Sequence, residues 1–260
     1  MQLFILTIRF LTRIPLPLKN NEIISEEEFS KGIIFYPIIG FIVGIINFII
    51  FNLIFFLTSS ILISSIFFVL SNILVTGAFH IDGLADSYDG LYSSRKKERI
   101  LEIMKDSRIG TNGALAILFD IILKISIVYF IGKEFDIIHC IIIIILSPVA
   151  GKMVIPIFLM SKYARNKNGL GSIYLKNQNI FINIFTIISG FLIINIFIKS
   201  YSYLIIILTC TISAILFKKH CENIIDGMTG DTFGAGFELI EIIFMMCYLV
   251  LLNFNIISGG

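Results

Sequence analysis

Tryptophan is absent from this chain, and histidine, cysteine and proline are scarce, at 3, 4 and 5 of 260 residues. The four cysteines, Cys140, Cys210, Cys221 and Cys247, are scattered and form no Cys-x-x-Cys pair. That excludes a zinc ribbon and a disulfide-framed fold. Charge is sparse too: Asp, Glu, Lys and Arg are 15% of the residues, against about 25% in soluble domains. The formal charge of +2 is spread along the chain, with no basic surface that calls for a nucleic-acid partner. Internal repeats, low-complexity tails and any soluble domain are lacking, so residues 1–260 read as one integral-membrane domain. Residues 1–18 do not read as a leader, because Arg9 and Arg13 interrupt the apolar run and no small-residue cleavage site follows.

What the chain has in excess is hydrocarbon. Apolar residues make up 57% of it, and the mean hydropathy is +0.96. Long apolar runs cover 33–57, 61–79, 114–132, 139–160, 178–198, 203–217 and 237–254. Most approach the roughly 20 residues that cross a bilayer core, and 203–217 is the shortest. The pattern predicts an all-α polytopic membrane protein with about seven transmembrane helices. Residues 1–18 read as an amphipathic helix at the interface, stopped by Pro15 and Pro17. Residues 20–32 read as a solvated acidic connector, and Gly40-x-x-x-Gly44 as a place for close helix packing.

The basic residues orient these spans. With the N-terminus in the cytoplasm, only Lys133 and Lys199 fall in outside loops, and Lys124 and Lys152 lie inside apolar runs. All other Lys and Arg fall on the cytoplasmic side, as do the polar loops that carry the motifs below. The expected location is therefore the cytoplasmic membrane, with the active site on its cytoplasmic face.

The most informative of these loops is His80-Ile-Asp-Gly-Leu-Ala-Asp-Ser-Tyr-Asp-Gly90. Asp82, Asp86 and Asp89 are spaced i, i+4, i+7, which on a helix puts them at about 0°, 40° and −20°. Three like charges on one stripe repel unless a cation sits among them, and hard oxygen ligands suit Mg²⁺ or Mn²⁺. Downstream, Ser93-Ser94 is placed to cap a helix running to about Lys105. The loop Asp106-Ser-Arg-Ile-Gly-Thr-Asn-Gly113 then offers a carboxylate, an arginine and backbone N–H groups together. A second acidic cluster, Asp226 to Glu241, puts Asp231 and Glu238 on one helix face, with Glu238 and Glu241 inside the last span. Carboxylates there need a cavity, a cation or a metal. Asp120 and Lys124, four apart in the third run, read as an ion pair.

Four landmarks together resemble a known family. They are Phe10-Leu-Thr-Arg-Ile-Pro15 with Pro37-x-x-Gly40; Thr76 through Gly90; Arg99 through Gly113; and Tyr163-Ala-Arg165 and Gly169-Leu-Gly171 with Thr229-Gly-Asp-Thr-Phe-Gly-Ala235, Glu238 and Glu241. In this order, over nearly the whole chain, the sequence resembles cobalamin synthases, the adenosylcobinamide-GDP ribazoletransferases. One departure is visible: the family pattern has an arginine ahead of the Tyr-Ala-Arg motif, where this chain has Gly151 with Lys152 beside it. Lysine lacks the bidentate fork of arginine. The resemblance implies a Mg²⁺-dependent membrane enzyme. It joins adenosylcobinamide-GDP to α-ribazole, or its 5′-phosphate, and releases GMP with adenosylcobalamin or its 5′-phosphate. Membrane lipid surrounds it, and a homo-oligomer is compatible with it.

Displacement at phosphorus needs charge neutralisation, a positioned nucleophile and an acceptor for its proton. Asp82, Asp86, Asp106, Asp231 and Glu238 are the candidate metal ligands, and Arg99, Lys105, Arg108, Arg165 and Thr229 the candidate substrate contacts. Asp89, or else His80, is the candidate proton acceptor; His80 reads equally as a structural anchor. A CDP-alcohol lipid phosphotransferase is the first alternative. Asp82-Gly-Leu-Ala85 matches its pattern, but Asp86 stands where arginine is expected. A transporter whose pathway is lined by Lys124, Lys152, Glu238 and Glu241 is the second.

Overall fold

The computed structural model describes residues 1–17, 25–165, 170–198 and 201–257, and among these it is helical with no strand. The elements are α1 (Gln2–Leu11), α2 (Glu26–Ser30), a 3₁₀ turn (Lys31–Phe35), α3 (Tyr36–Thr58), α4 (Ile61–Thr76), α5 (Phe79–Leu91) and α6 (Lys97–Ile103). They continue with α7 (Thr111–Glu134), α8 (Ile137–Met153), α9 (Ile155–Leu159), α10 (Leu170–Lys176), α11 (Ile180–Phe197), α12 (Ser202–Ile225) and α13 (Gly230–Asn253). Among the described residues six helical stretches are long and apolar enough to cross a membrane, and α4 with α5, bent by 91°, makes a seventh if the pair counts as one span. The apolar runs therefore map onto the bundle one for one. The short run 203–217 belongs to a 24-residue helix, α12, whose polar end had hidden its length.

Burial is arranged for lipid. Phe56, Phe119, Phe181, Ile196, Leu208 and Leu216 are exposed on the outer faces of their helices, where hydrocarbon satisfies them. The Ile137–Leu159 stretch is the exception, with 89% of its apolar window buried at the centre of the bundle. It packs against α3, α7, α11 and α13. Gly40 and Gly44 let α3 reach it: a side chain on either would collide with the carbonyls of Pro148 and Ile145. The Gly-x-x-x-Gly reading is thus realised between α3 and α8.

Some local readings change. Ser25 caps α2, so Glu26, Glu27 and Glu28 form a helical first turn instead of a plain connector, while residues 20–24 lie outside the described residues. α1 ends at Leu11, before Pro15 and Pro17 are reached. Ser93 and Ser94 do not cap α6: its N-cap is Lys96, Ser93 Oγ donates to the Gly90 carbonyl, and Ser94 takes a left-handed φ of 54°. The turn that closes α5 uses these serines first.

Candidate functional site

The site begins at the break after α4. Gly77 and Ala78 adopt φ of 64° and 61°, and their N–H groups return to the carbonyls of Leu74 and Ile73 at 3.1 and 2.8 Å. Such a left-handed ending stops a helix while satisfying its last carbonyls. A Cβ on Gly77 would strike the Arg13 side chain, which lies over the break, and Arg13 N–H donates to the Val75 carbonyl at 2.7 Å. The Phe10–Pro15 landmark thus braces the turn that launches α5.

Helix α5 carries the aspartate stripe as the spacing requires. Asp82 is exposed and Asp86 and Asp89 are half-buried. Gly83 lets the helix press on α13, since a Cβ there would lie 2.7 Å from the Asp231 carbonyl oxygen. That approach adds a fourth aspartate: Asp86 feels the like charges of Asp82, Asp231 and Asp89 and the opposite charge of Arg165.

Asp231 is delivered by two segments paired across the chain. Met228 N–H donates to the Lys162 carbonyl at 2.8 Å, and Ala164 N–H to the Met228 carbonyl at 3.0 Å. This bridge sets Arg165 over Asp231, with Arg165 NH2 donating to Asp231 Oδ2 at 2.5 Å. Thr229 caps α13 reciprocally with Thr232, and its hydroxyl lies 3.4 Å from Asp231 Oδ2. Capping is a sufficient reason for a threonine here. Gly169 lies outside the described residues; its motif partner Gly171 packs against Gly230.

Asp89 is committed to backbone. Its two oxygens accept from Gly110 N–H at 2.6 Å and Gly113 N–H at 2.8 Å, fastening the start of α7 to α5. Beside it, Asp106 accepts from Arg108 NH2 at 2.6 Å, Nε at 3.0 Å and its backbone N–H at 3.1 Å. Those hydrogen bonds hold the Asp106 carboxyl down at about 2. Asp89, Asp106 and Arg108 line an open depression of about 380 Å³. Arg99 points into solvent and pairs with Glu102 at 2.8 Å, and Lys105 is exposed, so neither reaches the stripe in this conformation.

Two expected site residues belong to a different, buried cluster. Glu238 is bonded to Lys124, which also meets Asp120 and Glu241 at 3.2 Å each. Lys152, fully buried, lies 3.6 Å from Glu241. The Asp120–Lys124 pair is as read from spacing, but Glu238 faces a lysine instead of the stripe. His80, 1% exposed, lies on the opposite side of α5 from the aspartates, 4.0 Å from Glu238, with its ring edge-on to Phe237. Asn72 donates to Glu241 at 3.4 Å and accepts from Asn47 at 3.0 Å, and Ser71 donates to Asn47 at 2.9 Å. Sequence reasoning passed over this asparagine chain, although lone asparagines in apolar helices are a usable signal.

The sequence model of the cobalamin-5-phosphate synthase (CobS) family matches residues 3–249. This chain belongs to that family. Among curated relatives it is 42% identical to an adenosylcobinamide-GDP ribazoletransferase of Clostridium novyi, over 96% of this chain and 97% of that one. It is 37% identical to proteins of the same name from Clostridioides difficile, over 98% and 99%, and Alkaliphilus metalliredigens, over 96% and 94%. No solved structure matches it. Membership in the cobalamin synthase family disfavours the lipid-phosphotransferase and transporter readings. The family landmarks that lie far apart in sequence meet here at one end of the bundle: Arg13 at the break, the stripe on α5, the 106–113 loop, Arg165 and Asp231. Among the described residues, no three His, Cys, Asp or Glu side chains are gathered tightly enough to form a ready-made metal site.

Proposed function

We propose that this protein joins adenosylcobinamide-GDP to α-ribazole or its 5′-phosphate, in a Mg²⁺-dependent phosphotransfer at the cytoplasmic face of the cell membrane. The observation that carries the reading is the full-length family match together with the convergence of the aspartate stripe, Asp231 and Arg165. The 3′-hydroxyl oxygen of the ribazole forms a new bond to the cobinamide-side phosphorus. The P–O bond to GMP breaks, GMP leaves with the electron pair, and the hydroxyl proton passes to a carboxylate.

The donor set fits a hard divalent cation in chemistry. Asp82 and Asp231 are carboxylates on either side of Asp86 at a polar rim, and they would hold the ion once their side chains rearrange around it. Mg²⁺ bound there supplies charge neutralisation for the pyrophosphate and the departing GMP. Arg165 shares Asp231 and is set to contact a phosphoryl oxygen when substrate competes for its guanidinium. Arg108 does the same from the loop by exchanging Asp106 for phosphate. Asp89 positions the loop, because both of its oxygens already accept backbone N–H groups. Asp86, which makes no such bonds, takes the hydroxyl proton in preference to Asp89. Glu238 and His80 act from behind the stripe by holding α5 to α13. Arg99 and Lys105 serve as outer phosphate or lipid contacts.

The test is reconstitution. Purified protein in lipid, given both substrates and Mg²⁺, is expected to yield GMP and the joined corrinoid in equal amounts, and neither product once the metal is chelated. Folded protein that yields neither product with metal present overturns the reading.

A further inference from the structure

A second cavity, distinct from the depression beside Asp106, opens between α5, α7 and α13 and holds about 380 Å³. Its wall joins Tyr88, Tyr92, Asn112, Phe119 and the buried Asp120 to a larger aliphatic surface of leucine, isoleucine and Ala116 side chains from α5, α7 and α13. The cavity adjoins the reaction loop through the chain itself. Tyr88 precedes Asp89, and Asn112 precedes Gly113, whose N–H bonds Asp89. A ligand seated here is one residue away, on two segments, from the groups that order the site.

The character of the walls narrows the occupant. Tyr88 and Tyr92 lie 5.1 Å apart with planes tilted by 37°, presenting aromatic surface on which a flat ring stacks. Asn112 Nδ2 makes only a long, 3.4 Å bond to the Tyr92 carbonyl, so its amide is available to a ring nitrogen. The aliphatic part of the wall would accept a lipid tail, but such a tail would leave the Asn112 amide and the tyrosine ring faces unused, whereas a heteroaromatic ring uses both. The volume lies in the range of small-molecule sites, roughly 300–1,000 Å³.

We propose that this cavity binds the N-heteroaromatic base of the acceptor nucleoside, with Phe119 and the two tyrosines as ring contacts and Asn112 as the polar contact. The proposal rests on the function given above. It makes these residues determinants of acceptor affinity and of the size of base accepted.

The test compares wild type with Ala116→Leu, which fills the cavity, and Phe119→Ala, which removes an exposed wall with little consequence for packing. Binding of α-ribazole to the detergent-solubilised protein is followed by equilibrium dialysis. Both variants are expected to weaken α-ribazole binding and raise its KM about tenfold, the effect of losing one aromatic contact. The KM for adenosylcobinamide-GDP is expected to stay within about twofold, because that substrate does not enter the cavity. Ala116→Leu is also expected to penalise a bulkier base more than a smaller one. Unchanged acceptor binding and KM in both monodisperse variants overturns the proposal. So does a co-purified phospholipid, seen by native mass spectrometry, that Ala116→Leu expels while acceptor binding persists. Wild type that binds α-ribazole but forms no product overturns the function itself and leaves a binding site; wild type that forms product with variants unaffected overturns only the cavity assignment.

Discussion

At the scale of the residue, the aspartates on α5 differ in what they are free to do. Asp82 is exposed, Asp86 is surrounded by like charges, and Asp89 is spent on two backbone N–H groups. Asp82→Asn keeps the shape of the side chain and removes its charge. The protein is expected to remain folded in detergent while turnover falls at least about 100-fold, the scale of losing a group that stabilises transition-state charge. Near-normal turnover at saturating Mg²⁺ would remove Asp82 from the proposed metal site. Lys124 is a contrasting case, since it holds Asp120, Glu238 and Glu241 together below the site. Lys124→Met strands the buried carboxylates of Asp120 and Glu238 and leaves Glu241 to Lys152 and Asn72, and breaking such a cluster from one side costs about 3–5 kcal/mol. The expected result is a clear drop in the thermal midpoint in detergent. The double variant with Asp120→Leu should recover part of it, because one stranded charge is removed as well.

At the scale of the element, glycines decide how closely the helices that frame the site approach. α3 touches α8 through Gly40 and Gly44, and α5 touches α13 through Gly83. Gly44→Leu drives a side chain into the Ile145 carbonyl, which belongs to a buried backbone that cannot yield. Loss of the monodisperse protein on size exclusion is expected, well beyond the 1–3 kcal/mol of ordinary overpacking. Gly230 is the control, since nothing lies within 4 Å of where its Cβ would be. Gly230→Ala should leave the thermal midpoint nearly unchanged, within the about 0.5 kcal/mol typical of a neutral site. Equal damage from both substitutions would show that close helix approach is not what these glycines provide.

At the scale of the whole molecule, the arrangement gathers the motifs at one end of the bundle and hydrocarbon on its flanks. The asymmetry of Lys and Arg predicts that this end faces the cytoplasm. Cysteine labelling can read this directly, because Cys140, Cys210 and Cys221 are buried and only Cys247 is partly accessible. A cysteine replacing exposed Lys96 should react with a membrane-impermeant maleimide only in inverted vesicles, and one replacing Lys133 only in intact cells. The reverse pattern would place the site outside and exclude a cytoplasmic pool of the proposed adenosylcobinamide-GDP donor as its substrate.

The sequence by itself determined the class of the molecule and much of its chemistry. Apolar runs of bilayer length dictate spanning helices whatever the tertiary arrangement, and the i, i+4, i+7 spacing puts three aspartates on one helical face wherever that helix lies. The family landmarks were legible for the same reason, being local strings. What only the tertiary structure decided is which carboxylates keep company. Asp231 joins the stripe because Gly83 admits α13, and Arg165 joins because the Lys162–Ala164 segment pairs with Met228. Glu238, on the same helical face as Asp231 but two turns deeper, meets Lys124 instead. Asp89, the natural choice of base from its string, is occupied by N–H groups from a loop some twenty residues downstream. Spacing fixes direction around one helix, but depth in the bundle and the identity of the neighbour depend on how other helices pack against it.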